Sequence, residues 1–125
     1  MPLESKTIII DEPLTPLVKG SYREFVFTAY EDANKTVPYS GDFSNDSITI
    51  LMQLARESTN PNITKKNTTA GGGDTEISSD SANKMTLKFM ESDTSDLKIT
   101  DYVIIIKITN PAGRTFKVIR YLSII

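Results

Sequence analysis

Histidine and cysteine are both absent from the 125 residues, so the chemistry open to the side chains is narrow. Without them there is no Ser-His or Cys-His nucleophile pair, no disulfide, and no zinc site of the Cys/His kind. Acidic residues cluster at Glu91, Asp93, Asp96 and Asp101. The Asp-x-Asp-x-Asp-Gly spacing of a calcium loop is missing there, and the cluster reads as a solvated corner with capping carboxylates. Sixteen acids in a small domain guarantee some close pairs, so a glycosidase-like carboxylate pair carries no information. Gly71-Gly72-Gly73 lacks the Gly-Lys-Ser/Thr that opens a helix in a phosphate loop. Asp74 and Glu76 follow it and would repel phosphate. No Ser-x-x-Lys opens a helix. The expectation is a protein that is not an enzyme, with no catalytic residue, no metal and no cofactor.

Charge and targeting narrow the partners. Fourteen Lys+Arg against sixteen Asp+Glu give a net charge of −2, which is no footprint for nucleic acid or an anionic membrane. Lys65-Lys66 is the one adjacent basic pair. No signal-peptide pattern is expected at the start. The longest apolar run, Val103 to Ile106, is far short of a membrane span. Asn34, Asn45, Asn62 and Asn67 head glycosylation sequons, but nothing directs the chain to a secretory route. The chain reads as soluble and made in a cytoplasm.

Any function must be carried by elements whose apolar period is two. Phe25, Phe27 and Ala29 alternate with Val26 and Thr28. Ile48, Ile50, Met52 and Leu54 alternate with Thr49, Leu51, Gln53 and Ala55. Met85, Leu87 and Phe89 form a third set, and Tyr102, Ile104, Ile106 and Ile108 a fourth. Thr115 to Ile125 is a last β-branched and aromatic stretch. Thr7 to Asp11 reads as a first strand, ended by Pro13 and Pro16. Short strands are expected at 63–66 and 76–78, inside a polar stretch too long to be one loop. Glu91 to Leu97 suits a short helical turn, with Ser92 or Asp93 as N-cap. Asn110-Pro111-Ala112-Gly113 signals a hairpin. The expected fold is all-β, a single antiparallel Ig-like β-sandwich of about seven strands with an N-terminal arm. Residues 1–19 form the arm and first strand, and residues 20–125 the sandwich domain.

The phases also leave apolar residues pointing away from the core. Val103 and Ile105 share the phase of Lys107 and Thr109. Leu51 shares that of Gln53, and Ile119 and Tyr121 that of Lys117. If these strands are neighbours, Leu51, Val103, Ile105, Ile119 and Tyr121 make an apolar stripe on an outer sheet face. Contiguous exposed apolar area marks a binding surface. Ile8, Ile10 and Leu14 of the arm are expected to join that protein interface.

The order of short motifs resembles a known family. Lys19-Gly20-Ser21-Tyr22 leads into the strand Arg23 to Thr28. Val37-Pro38-Tyr39-Ser40-Gly41-Asp42 precedes Ser47-Ile48-Thr49-Ile50-Leu51-Met52-Gln53-Leu54-Ala55-Arg56. Then come Lys84 to Phe89, Ser92 to Leu97, Tyr102 opening the apolar strand, and Asn110 to Arg114 turning it. This order is similar to the short Ig-like β-sandwich modules of tailed-bacteriophage virion proteins, among them the N-terminal module of phage baseplate upper proteins. It covers residues 18–125, with Ser21 where the pattern has Asp and Thr100 where it has Gly.

The resemblance implies a structural protein of the virion, made in the host bacterial cytoplasm. The first expectation is a capsid auxiliary or decoration protein held by its arm and its apolar sheet face. The alternatives are a tail or baseplate adaptor, and a carbohydrate- or cell-surface-binding module using Tyr30, Tyr39 and Phe43. The implied partners are other virion proteins, either the major capsid protein or tail and baseplate proteins. A homo-oligomer is left open, and neither nucleic acid nor membrane is expected as a partner.

Overall fold

The computed structural model describes residues 9–11, 15–54, 63–67 and 77–125. Among the described residues, eight strands and one helical turn follow one another: β1 (Ile9–Asp11), β2 (Arg23–Tyr30), β3 (Ser47–Leu54), β4 (Ile63–Lys66), β5 (Ile77–Ser81), β6 (Lys84–Phe89), α1 (Glu91–Thr94), β7 (Asp101–Thr109) and β8 (Thr115–Ser123). They form two antiparallel sheets, ordered β1-β2-β6-β5 and β4-β3-β7-β8. This is the ABED and C′CFG arrangement of immunoglobulin-like sandwiches. The expected fold class is the observed one. The expected number of about seven strands is corrected to at least eight, counted over the described residues, because both short segments of the polar stretch pair at sheet edges, β4 on β3 and β5 on β6. The Gly71-Gly72-Gly73 run lies outside the described residues.

Alternation builds the core. Phe25, Phe27, Ala29, Ile48, Ile50, Met52, Met85, Leu87 and Phe89 are all buried, and so are the even residues Tyr102 to Ile108 of β7. Immunoglobulin domains fill their centre with a cystine and a tryptophan. Here Cys and Trp are both absent, and Phe and Ile do that packing, with Phe25 and Phe89 meeting edge-on at 5.9 Å. Tyr102, at the start of β7, donates its hydroxyl to the Lys98 carbonyl at 2.8 Å. That bond is a tyrosine corner, which fastens the connection between the sheets to the strand it enters. Asn110 ends β7 by accepting the Arg114 amide on its Oδ1 at 2.9 Å. Gly113, at φ 87°, takes the left-handed turn position that other residues resist.

The N-terminal segment differs from the expected arm. Strand β1 pairs with β2, and Ile10 is buried in the core. The chain then changes sheets. Leu17 makes a parallel bridge with Ile124. Its amide donates to the Ser123 carbonyl, and the Ile125 amide donates to the Leu17 carbonyl, each at 2.9 Å. Leu17 itself is fully buried. Arg120, reaching across from β8, donates to the Ile10 carbonyl at 3.1 Å. The described part of residues 1–19 is thus integral to the sandwich, because Ile10 and Leu17 find their burial there. Ile8 and Leu14 lie outside the described residues.

The acidic corner is also built differently. The N-cap of α1 is Met90, not Ser92 or Asp93. Asp93 accepts the Met90 amide at 2.6 Å. It also pairs with Lys65 at 2.6 Å, although the Lys65 side chain is only 2% exposed. Lys65 shares the inward phase of Ile63 on β4, and a buried ammonium demands such a partner. The bond ties the edge of the second sheet to the end of β6.

Leu17 closes one edge of the sandwich, and this can be weighed. Replacing Leu17 by Ala should lower unfolding stability by about 2–5 kcal/mol, read from denaturant midpoints. A loss below about 1 kcal/mol would mean that the sandwich closes without it.

Candidate protein-binding face

Register decides whether the outward apolar residues meet. β7 lies between β3 and β8. Leu51 is opposite Ile105, and Ile105 is opposite Ile119. On the next rung, Gln53 is opposite Val103, and Val103 is opposite Tyr121. All five stripe residues therefore fall on two adjacent rungs of one face. Side chains directly across strands sit about 5 Å apart, so the five make a continuous patch. Ile119 is 48% exposed and Tyr121 is 69% exposed. Leu51, Val103 and Ile105 are half-buried by their neighbours. Among the described residues, the N-terminal segment does not cross this face. β1 belongs to the other sheet, and residues 15–19 follow the edge of β8.

Ile10 is not part of the patch. It packs in the core on the opposite side of the sheet, so its assignment to the interface is corrected.

The rungs flanking the patch are charged, and unequally. On one side Lys66 is opposite Thr49, Thr49 is opposite Lys107, and Lys107 is opposite Lys117. On the other side Asp101 is opposite Ser123 and accepts its hydroxyl at 2.6 Å. Sequence reasoning missed this polarity. The signal was available in the phase of Lys107 and Lys117, which is that of the apolar stripe.

A second feature lies at one end of the sandwich. The loop 31–46 and the turn 110–114 border an open cleft of about 640 Å³, lined among others by Tyr39, Asp42, Asp46, Arg114 and Phe116. The loop is anchored from inside. Phe43 is fully buried and Tyr39 nearly so. The Tyr39 ring stacks at a tilt on Phe43 at 5.1 Å and meets Phe116 edge-on at 6.4 Å. The loop crosses Tyr39 at Gly41, where a Cβ would lie 2.3 Å from the ring. These rings are anchors rather than open stacking faces for a sugar. Among the described residues no cluster of three or more acidic side chains could hold a metal ion.

Tyr39 donates its hydroxyl to Asp46 Oδ2 at 2.6 Å. Asp46 is 1% exposed, and its Oδ1 has no hydrogen-bond partner among the described residues. Burial pushes the Asp46 carboxyl above the usual 3.8, and the Tyr39 bond only partly opposes it. Burial, then Asp46 itself, push the Tyr39 hydroxyl up. In the pH range just above 3.8 the native Asp46 carboxyl is therefore more protonated than that of the unfolded chain. This group's contribution to stability falls as pH rises through that window. The stability difference between wild type and Asp46→Asn should accordingly shrink or reverse as pH is raised from 3.8 to neutrality. A difference independent of pH, in denaturant titrations at each pH, would show that Asp46 titrates normally.

Comparison of the sequence with models of known protein families and with curated proteins finds no match.

Proposed function

We propose that this chain is a non-enzymatic structural protein of a tailed-phage virion, a capsid auxiliary or decoration protein. It docks on a neighbouring virion protein through the outer face of the sheet β4-β3-β7-β8. The observation that carries the reading is the patch of Leu51, Val103, Ile105, Ile119 and Tyr121 on two adjacent rungs. An apolar area of this continuity on a sandwich face favours burial against another protein. A second support is the motif resemblance, whose elements fall in the same order along the sandwich: the start of β2, the anchored loop, β3, β6, and Tyr102 at the start of β7. Ile10 and Leu17 belong to the fold itself, so the sheet face and not a detachable arm carries the contact in this reading.

The test is quantitative mass spectrometry of purified phage particles, scaled to the major capsid protein. A fixed ratio in the hundreds of copies is expected for the wild-type chain. Exchanging Ile119 and Tyr121 together for Ser should deplete it from particles while the isolated variant keeps its fold. A few to a few dozen copies would move the protein to the tail or baseplate. Absence of the wild-type chain, or normal incorporation of the variant, would overturn the docking role.

A further inference from the structure

We infer that the neighbour filling this face is a second copy of the same chain, related by a two-fold axis that crosses the strands of the sheet at right angles. The inference rests on the reading of the face as a docking surface, and adds its occupant and orientation. It follows from how charge is distributed along β7. The outward residues run Asp101, Val103, Ile105, Lys107. An axis lying across the strands, midway between Val103 and Ile105, sets β7 against the partner copy's β7 in the opposite direction. Val103 then faces Ile105 of the other copy, and Asp101 faces Lys107, twice over by symmetry. On β8, Tyr121 faces Ile119, and Ser123 faces Lys117. On β3, Gln53 faces Leu51. Each step follows from the observed register and from the self-complementarity that a two-fold contact requires.

The other in-plane axis, along the strands, is disfavoured by the same residues. It would stack the rung of Lys66, Lys107 and Lys117 on its own copy. Like charges brought together at an interface cost several kcal/mol.

The monomer leaves this rung incomplete. Lys107 and Lys117 are directly opposite each other across β7 and β8, a like-charge pairing that weakens a sheet. No ion pair reaches either of them among the described residues. A carboxylate arriving from outside, such as the second copy's Asp101, completes it.

Size is consistent with a reversible dimer. Four strands and nine residues of β7 span roughly 19 Å by 30 Å, on the order of 600 Å² per copy. A stable standard interface takes about 800 Å² per partner. Two such faces pack as sheets do inside a sandwich, about 10 Å apart with strands within about 30° of antiparallel.

The experiment is sedimentation velocity on the full chain over a concentration series, with circular dichroism to confirm folding. The wild type should show a monomer–dimer equilibrium. Asp101→Lys and Lys107→Asp should each weaken it by about 100-fold, because each creates two like-charge contacts. The two changes combined should restore it to within about threefold, since they exchange the partners of the same symmetric pairs. Tyr121→Ser, away from the charges, should also weaken it. A wild-type chain that stays monomeric at every concentration would overturn the dimer. So would a dimer indifferent to both single changes, or one that the combined change fails to restore. These outcomes are separate from the docking role. A monomeric chain that still loses incorporation when Ile119 and Tyr121 are changed would keep the face as a docking site for a different protein.

Discussion

Strand β7 is hydrogen-bonded along its length to β3 on one side and to β8 on the other, and its phase sets every surface of the second sheet. Both of its faces are apolar in the middle: Ile104 and Ile106 point inward, Val103 and Ile105 outward. A one-residue slip would exchange the two sets. Hydrophobicity in the middle of the strand would hardly notice that exchange. The ends notice it, because a slip would carry Lys107 and Asp101 toward the core, where neither has a partner. The Tyr102 bond to Lys98 and the Asn110 turn pin both ends in register. The outer apolar rungs can exist only because charged and hydrogen-bonded residues fix the phase around them.

The edges of the sandwich are closed by other means. Leu17 and Lys19 bond along the end of β8, and Arg120 bridges from β8 to the β1 backbone. At the opposite edge β5 is polar, with Ser78, Ser79, Asp80 and Ser81, while β4 is short and shows Thr64 and Lys66 outward. Short polar edges discourage the addition of a foreign strand. A partner that packs against a sheet is therefore better accommodated than one that extends it.

Much of this was legible in the chain. The period-two phases of β2, β3, β6 and β7 placed most of their core residues, because each has one face that must be buried; Leu54 is only partly buried, and Thr86 is buried against its phase. The five-residue stripe was legible for the same reason, once β3, β7 and β8 were taken as neighbours. What was not legible depended on contacts between distant segments. In the sequence Lys65 is half of an adjacent basic pair, with nothing to mark it as buried. Its burial depends on Asp93, twenty-eight residues away, arriving over the same end of the core. The residues before Gly20 looked like an arm because their prolines break the first strand. In the fold that break lets the chain leave β2 and reach β8, and no local pattern reports the destination. Asp46 followed Ser44 and Asn45 like any polar turn residue, and only the packing of Tyr39 over it makes it buried.

The two rungs of the outer face and their charged borders divide the work of association. Lys107, Lys117 and Asp101 are partly or fully exposed, so solvent and salt screen them in the free chain. That screening softens the Lys107–Lys117 repulsion in the free chain without removing it, and the attraction of exposed charges would add little affinity by itself. Affinity must come from excluding water from Ile119, Tyr121 and the half-buried residues between β3 and β7. The charges instead select among orientations that the apolar patch, being roughly symmetric about its centre, cannot tell apart. An all-apolar face would bind in either sense and in several registers. A face with lysines along one border and Asp101 at the other favours a partner whose charges run the opposite way, and a second copy turned end for end is the simplest surface that meets that condition.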